Sequence, residues 1–378
     1  MPKIPDTRIL FAGGGSGGHV YPLIAVAEAL IARATKNGML ISLHYLGPAD
    51  DYRELIENQG IHFHHLTGAK LRRYATFSNI LDIPKFFIGF LWALVKLYAL
   101  MPDVVLSKGG PGALAVIYAA SFYRIPIIAH ESDAVSSLTT RLSAKRARRI
   151  GVSFAQVASA LGEKKSFLTG GVVRESLRRG DIPQEEAKMK LGFDPEKPLM
   201  LVLGGSQGSE RINTFIISNL GVILRETQVL HQTGVRGYDA VRAVTNPLLA
   251  GAGKDFMAYR TEPYFVQNYA TALAAADCVV TRAGSGTLFE IASFQKPMLI
   301  IPLPESAQNH QQENARVFRA SGAARVVEEV NLTQGIFMTE LRVILLDESV
   351  RTTMQNAAAS FPVVGAARIT EEILAIVG

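Results

Sequence analysis

Ile9 to His19 reads ILFAGGGSGGH, and Leu199 to Gly208 reads LMLVLGGSQG. Each is a short apolar run that passes straight into glycines and then into helix-like sequence. That is how a doubly wound α/β sheet begins: a buried first strand hands the chain to a tight turn and a helix N-terminus. The second opening starts only at Leu199 in a chain of 378 residues, so two tandem Rossmann-like domains are expected. The polar stretch at Gly162, Glu163, Lys164 and Lys165 places the first boundary, and Phe361-Pro362 breaks the chain again. The expected division is 1–165, 166–360 and a terminal helix in 361–378 that packs back on the first domain.

Between these points, β-branched and apolar runs alternate with longer helical stretches, as in a βαβ succession. Candidate strands are Arg8 to Ala12, Leu40 to Leu46, Val104 to Leu106, Ile125 to Ala129, Pro198 to Leu203, Cys278 to Thr281 and Met298 to Ile301. A single cysteine, Cys278, rules out an intrachain disulfide or a Cys-based zinc site and reads as a small buried thiol. The N-terminus has no secretory pattern, because Ile9 to Ala12 runs into glycines, and the cytoplasm is the expected compartment.

The net charge of +6 lies entirely in the first half, where residues 1–165 hold 19 Lys+Arg against 11 Asp+Glu and the remainder 20 against 22. Such a half suits an anionic membrane or phosphorylated substrates. Nucleic acid is not an expected partner, since no zinc-finger or RNP1-type aromatic signature accompanies the charge. The run Phe86 to Leu100, FFIGFLWALVKLYAL, is interrupted by Lys96 and is too short to span hydrocarbon, which takes roughly 20 residues. Flanked by Lys70, Arg72, Arg73 and Lys85, it reads either as a core helix or as an attachment to an anionic bilayer surface, with one face available to each.

Gly13 to Gly18 matches G-x-G-x-x-G and would present backbone N–H groups and a helix dipole to an anion. A dinucleotide reading also needs an acidic residue at the end of the second strand, but that strand ends Tyr45-Leu46-Gly47. His19 follows the glycines at the start of a helix. There it could cap the turn, or take a proton from a hydroxyl near neutral pH. Gly204 to Gly208 offers a second cradle, with the Ser206 hydroxyl as an extra donor, although close strand–helix packing also explains such glycines. A third loop, Arg282 to Glu290, places Ser285, Gly286 and Thr287 at a helix N-terminus suited to a pyrophosphate, and Glu290 one turn on, where it could hold a ribose or simply complement the dipole. The amides of Gln311 and Gln312 suit sugar hydroxyls and an acetamide. There is no D-x-D pair, and His130 to Asp133 lacks a zinc spacing, so no metal is expected and Arg174 with the helix N-termini must neutralise a leaving diphosphate.

These segments in this order resemble the MurG family of GT-B glycosyltransferases. The matching pieces are Gly14 to Leu30, Ser107 to Gly110, His130 to Ala147, Gly205 to Asn213, His231 to Gly234, Thr281 to Ala292 and His310 to Ala315, spread over almost the whole chain. The resemblance implies two Rossmann-like domains facing a deep cleft, the first holding the acceptor and the second UDP-GlcNAc. It implies an inverting transfer of N-acetylglucosamine to the C4 hydroxyl of undecaprenyl-diphospho-N-acetylmuramoyl-pentapeptide, in peptidoglycan synthesis at the cytoplasmic face of the cell membrane, alongside other cell-wall synthesis proteins. UDP-GlcNAc is then a substrate and no cofactor or structural metal is used. Donor contacts carried over are Ser16, Gly17, Gly18, Asp133, Arg174, Ser206, the Val266 backbone, Ser285, Gly286, Thr287, Leu288, Phe289, Glu290, Gln311 and Gln312. The acceptor and phosphate loops carry Gly14, Gly15, Gly109, Gly110 and His130. His19 becomes the leading general base, with Glu131 as its rival.

Departures from the family pattern sit on the acceptor side. Ser16 stands for threonine, Asp133 for asparagine, Gly109 to Gly112 lacks an aromatic, and Gly171-Val172 replaces Asn-Pro. They leave two other readings open: a transferase acting on another lipid such as diacylglycerol, and a catalytically silent nucleotide-sugar binder. An epimerase of the same double Rossmann architecture is a further alternative.

Overall fold

Ile9, Leu10, Phe11 and Ala12 have no exposed surface. A strand apolar on both faces belongs at the centre of a parallel sheet covered by helices on both sides. In the computed structural model this is where the run lies, as strand β1 (Thr7–Gly13). The structure describes residues 7–66, 77–177, 182–205, 208–251, 258–265 and 267–378, with backbone alone for 77–83. The chain divides into two units, residues 1–175 with 362–378, and residues 176–361.

In the first unit, β1 is flanked by β2 (Ile41–Gly47) and β4 (Val104–Gly109), both parallel to it. With β3 (Ile61–His65), β5 (Ile127–Glu131), β6 (Arg149–Val152) and β7 (Ser166–Leu168) they form a seven-stranded sheet in the order β3-β2-β1-β4-β5-β6-β7. The order reverses between β1 and β4, so the crevice where a doubly wound sheet takes its ligand opens beyond Gly13 and Gly109. β7 pairs with β6, which puts residues 166–175 with the first sheet, beyond Lys165.

The helix Gly365–Val377 also belongs to this unit. Gly171 N donates to Pro362 O at 2.8 Å, Gly365 N donates to Gly171 O at 3.0 Å, and Ile369 and Ile373 enter the same core as Val20, Leu23 and Ile24. Arg149 donates through Nε and Nη2 to the two Glu372 oxygens at 2.8 and 2.7 Å, a bidentate pair that fixes the helix against the sheet.

The second unit repeats the plan with β8 (Leu199–Leu203), β9 (Gln228–Gln232), β10 (Tyr259–Glu262), β11 (Cys278–Thr281), β12 (Met298–Ile300) and β13 (Ala324–Val326) in the order β10-β9-β8-β11-β12-β13. Its switch point lies between β8 and β11, beyond Gly204 and Arg282. Cys278 is wholly buried in this sheet.

The run Phe86 to Leu100 falls in the helix Phe77–Leu100. Gly89, Ala93 and Leu97 face inward, whereas Phe87, Ile88, Leu91, Trp92, Val95 and Tyr98 are exposed. One face of the helix is therefore core and the other an exposed apolar surface. Lys85 is exposed and the Lys96 ammonium stands 5.4 Å over the Trp92 ring; Lys70, Arg72 and Arg73 lie outside the described residues. Among the described residues, no helix is long and apolar enough to cross a membrane.

Candidate active site

At the first switch point, β1 ends in glycine and the helix Gly17–Asn37 begins with Ser16 as its N-cap residue in an extended conformation. The Ser16 hydroxyl does not cap the helix; its Oγ lies 2.7 Å from His19 Nδ1. The ring is wedged between two glycine turns. A Cβ on Gly14 would come within 3.0 Å of Nδ1, and one on Gly110 within 2.7 Å of Nε2. Gly110 also has φ +87°, a conformation that L side chains rarely adopt. Both the backbone and the neighbouring imidazole thus demand glycine there. Burial, then the Lys108 charge, lower the His19 pKa to about 4 against an opposing pull from Asp133. The imidazole is neutral near pH 7 and able to accept a proton.

His130, at the end of β5, is only 2% exposed and lies 3.3 Å from Thr169 Oγ1 and 3.4 Å from Ser153 Oγ through Nε2. Burial and the Lys108 charge hold its pKa well below the usual histidine range. Glu131 beside it is also buried, but its two carboxylate oxygens accept backbone N–H groups, from Asp133 at 3.2 Å and Ser137 at 2.8 Å. Ser137 in turn accepts from Thr140 N to cap the helix Leu138–Ala144. Glu131 is thereby the clamp of this loop.

Arg174 lies in the first unit, its guanidinium carbon 4.3 Å over the Tyr21 ring. Among the described residues its Nε is buried without a hydrogen-bond partner, a donor suited to an anion. Tyr21 meets Tyr52 edge-on with centroids 6.0 Å apart, and a Cβ on Gly17 would crowd both rings. The glycine at 17 lets the aromatic platform stand beside the turn.

In the second unit, Gly208 has φ +80°, and a Cβ there would fall 2.3 Å from Thr233 O. Close packing against the turn after β9 therefore dictates this glycine. Gln232, at the end of β9, donates to Gly205 O at 3.2 Å and accepts from Phe265 N at 3.2 Å, joining the loops after β8, β9 and β10. Arg282 donates to Ser209 Oγ at 2.8 and 3.1 Å and to Ile301 O at 3.1 Å, and pairs with Glu329 at 2.6 Å. These contacts anchor the entrance of the loop that leads to Ser285.

The helix Ser285–Ser293 starts after Gly284, with Ser285 buried, Gly286 exposed and Thr287 half-buried at its first turn. Glu290 accepts from the Tyr269 hydroxyl at 3.2 Å, and Tyr269 stacks on Phe265. Leu288 and Phe289 do not line a site with their side chains. Both are core residues, Phe289 meeting Phe318 and Phe361 edge-on, and Leu288 N donates to Gly284 O inside the helix. Helical periodicity turns these two positions inward, opposite Gly286 and Thr287.

Gln311 Oε1 accepts from Ala283 N at 3.2 Å and Leu303 N at 3.0 Å, tying two loops together, and Gln312 Nε2 donates to Leu303 O and Pro304 O. The turn before them holds Gln308 and Asn309 at φ +57° and +56°, consecutive strained non-glycine residues of the kind that cluster at ligand clamps. Ser206 and Val266 lie outside the described residues. Among the described residues, no group of three or more His, Cys, Asp or Glu is placed to hold a metal ion. Tyr21, Lys108, Gln232 and Tyr269 were not singled out as site residues from sequence, although Tyr21, Lys108 and Gln232 fall inside quoted motif segments.

Two Rossmann-like units, one presenting a histidine between glycine turns and the other a hydroxyl-bearing helix N-terminus followed by a carboxylate, have the architecture of a GT-B glycosyltransferase. Residues 9–152 match the glycosyltransferase family 28 N-terminal domain and residues 199–369 its C-terminal domain, and the chain belongs to that family. Among its relatives, the UDP-N-acetylglucosamine--N-acetylmuramyl-(pentapeptide) pyrophosphoryl-undecaprenol N-acetylglucosamine transferase of Shouchella clausii is 36% identical over 89% of this chain and 90% of its own. The protein of the same name from Staphylococcus saprophyticus is 35% identical over 89% and 90%. The crystal structure of Acinetobacter baumannii MurG superposes with a TM-score of 0.73 at 22% identity, covering 98% of this chain and 99% of that one, a likeness of fold.

Proposed function

We propose that the protein transfers N-acetylglucosamine from UDP-GlcNAc to the C4 hydroxyl of an undecaprenyl-diphospho-N-acetylmuramoyl-pentapeptide, with inversion. The similarity to curated transferases of that name over nearly nine-tenths of the chain supports the substrates. The observation that carries the chemistry is the His19 ring, neutral and wedged at the first switch point with Nδ1 on Ser16. In the tautomer whose Nδ1–H donates to the Ser16 oxygen, Nε2 holds the lone pair. The acceptor hydroxyl loses its proton to Nε2 as its oxygen bonds to the anomeric carbon. The bond from that carbon to the diphosphate breaks, and UDP leaves with the electron pair.

Charge building on the diphosphate is met by the free Arg174 donor and by the helix N-terminus at Ser285, Gly286 and Thr287. Glu290, already oriented by Tyr269, receives the ribose hydroxyls. Gln311 keeps Nε2 for the sugar while its Oε1 holds the loops; Ser206 and the Val266 backbone complete the donor set, and Gly14, Gly15 and Gly109 border the acceptor. The exposed apolar face of Phe77–Leu100, beside a basic first half, docks on an anionic membrane surface at the cytoplasmic side.

The test is incubation with radiolabelled UDP-GlcNAc, with and without the lipid-linked muramoyl-pentapeptide, following UDP release and label in lipid. Acceptor-dependent transfer is the expected result. Donor binding without transfer to this lipid would move the acceptor assignment to another lipid.

A further inference from the structure

Strand β4 pairs with β1 in regular register up to Ala12 opposite Ser107, and then slips, so that Gly13 stands opposite Gly109. Lys108 is the residue left over. A bulge of this kind re-aims the side chain of its extra residue, and bulges are frequent beside active sites. Lys108 is directed into the molecule, only 7% exposed, and its Nζ donates to Ser132 Oγ at 2.9 Å. Burying an ammonium is costly, and one hydroxyl acceptor offsets little of that cost. The two residues after it form the turn at which any side chain on Gly110 would collide with the His19 ring.

We propose that Lys108 is a positioning residue for sugar transfer, placed by the β4 bulge to reserve His19 for proton acceptance. The proposal rests on the reading of His19 as the base. The charged and titratable groups around this imidazole are Lys108 from β4 and Asp133 from the loop after β5, with the Tyr45 hydroxyl from β2 donating to Gly14 O behind the turn. The Lys108 charge, after burial, also holds the pKa of His130, the second buried imidazole, below the usual histidine range. A fixed positive charge next to both rings disfavours an imidazolium in either, so Nε2 of His19 keeps its lone pair in mildly acidic conditions, while Asp133 favours the imidazolium once the hydroxyl proton arrives.

The experiment is the pH profile of kcat/KM for the full-length protein and its Lys108→Met, Lys108→Arg and Asp133→Asn variants, with the His19 imidazole followed by NMR titration and assigned by its loss in His19→Gln. Lys108→Met should move the acid limb and the NMR midpoint of His19 up by about half a pH unit or more. Asp133→Asn should move both down, and Lys108→Arg should hold them at the wild-type position. A packing defect alone would lower activity at every pH without moving the limb. If His19→Gln is inactive while limb and midpoint stay put in Lys108→Met, the role of Lys108 is overturned and that of His19 stands. If His19→Gln keeps wild-type turnover, the reading of the base fails first.

Discussion

The guanidinium of Arg174 lies 4.3 Å above the ring of Tyr21, which holds a cation with an unpartnered Nε beside the first glycine turn. Cation–π contacts contribute about 2 kcal/mol when desolvated, so Tyr21→Leu should raise the KM for UDP-GlcNAc by about 5- to 30-fold with a smaller change in kcat. Steady-state kinetics at varied donor concentration decide it; an unchanged KM would remove the platform role.

Removing the His19 imidazole should cost turnover and spare donor binding. His19→Gln is expected to lower kcat by about a hundredfold or more, the usual range for a general base. The affinity for UDP, measured by calorimetry, should stay within about twofold, since the proton that the imidazole takes belongs to the acceptor hydroxyl and not to the nucleotide. Loss of UDP binding in the same variant would mean that the residue organises the fold of the turn.

Gly110→Ala separates space from chemistry. Its Cβ would land 2.7 Å from His19 Nε2, and the nearest atoms belong to a side chain that can swing away. Turnover should fall about as far as in His19→Gln, while thermal unfolding shows a stability loss of about 1–2 kcal/mol from the left-handed backbone. Wild-type turnover in this variant would show that the ring position does not matter.

Stability should decline on acidification through the buried histidines. His19 is lowered to about 4 and His231 to about 3, chiefly by burial, while in the unfolded chain each titrates near its ordinary value of 6.5. Between those values the unfolded chain binds more protons, so the stabilisation from neutral imidazoles is complete above pH 6.5 and drains away as pH falls toward 4 and then 3. His231 bridges Tyr259 and Asn213 inside the second unit, each at 3.0 Å. Urea midpoints between pH 8 and pH 4 should therefore drop steadily below pH 6.5, and His231→Asn should flatten part of that slope. A midpoint flat down to pH 4 would contradict the assignment.

The exposed apolar face of the helix Phe77–Leu100 has its own test. Replacing Phe87, Leu91 and Trp92 by serine should reduce sedimentation with anionic vesicles and leave the circular dichroism melt within a few degrees, since these side chains are exposed. An unfolded variant would instead show that the face is covered by protein.

The sequence alone determined the class of fold and where each sheet opens, because fully apolar strands running into glycine turns at Gly13 and Gly204 have few other folded solutions. The matched motif segments likewise contained His19, Glu290 and the two glutamines. Strands such as β3, with the sequence IHFHH, and β10, with YRTE, escaped notice because edge strands with one wet face lack the continuous apolar run that marks a central one. Tertiary structure decided the division of labour within the motifs. Glu131 is spent on backbone N–H groups, Leu288 and Phe289 turn into the core, Arg174 rests on Tyr21, and a single register slip leaves Lys108 buried with its Nζ on Ser132. The physical reason is that a residue's identity sets what it can donate, accept or bury, whereas its function depends on which neighbours have already taken those capacities, and those neighbours come from strands and loops far apart in the chain.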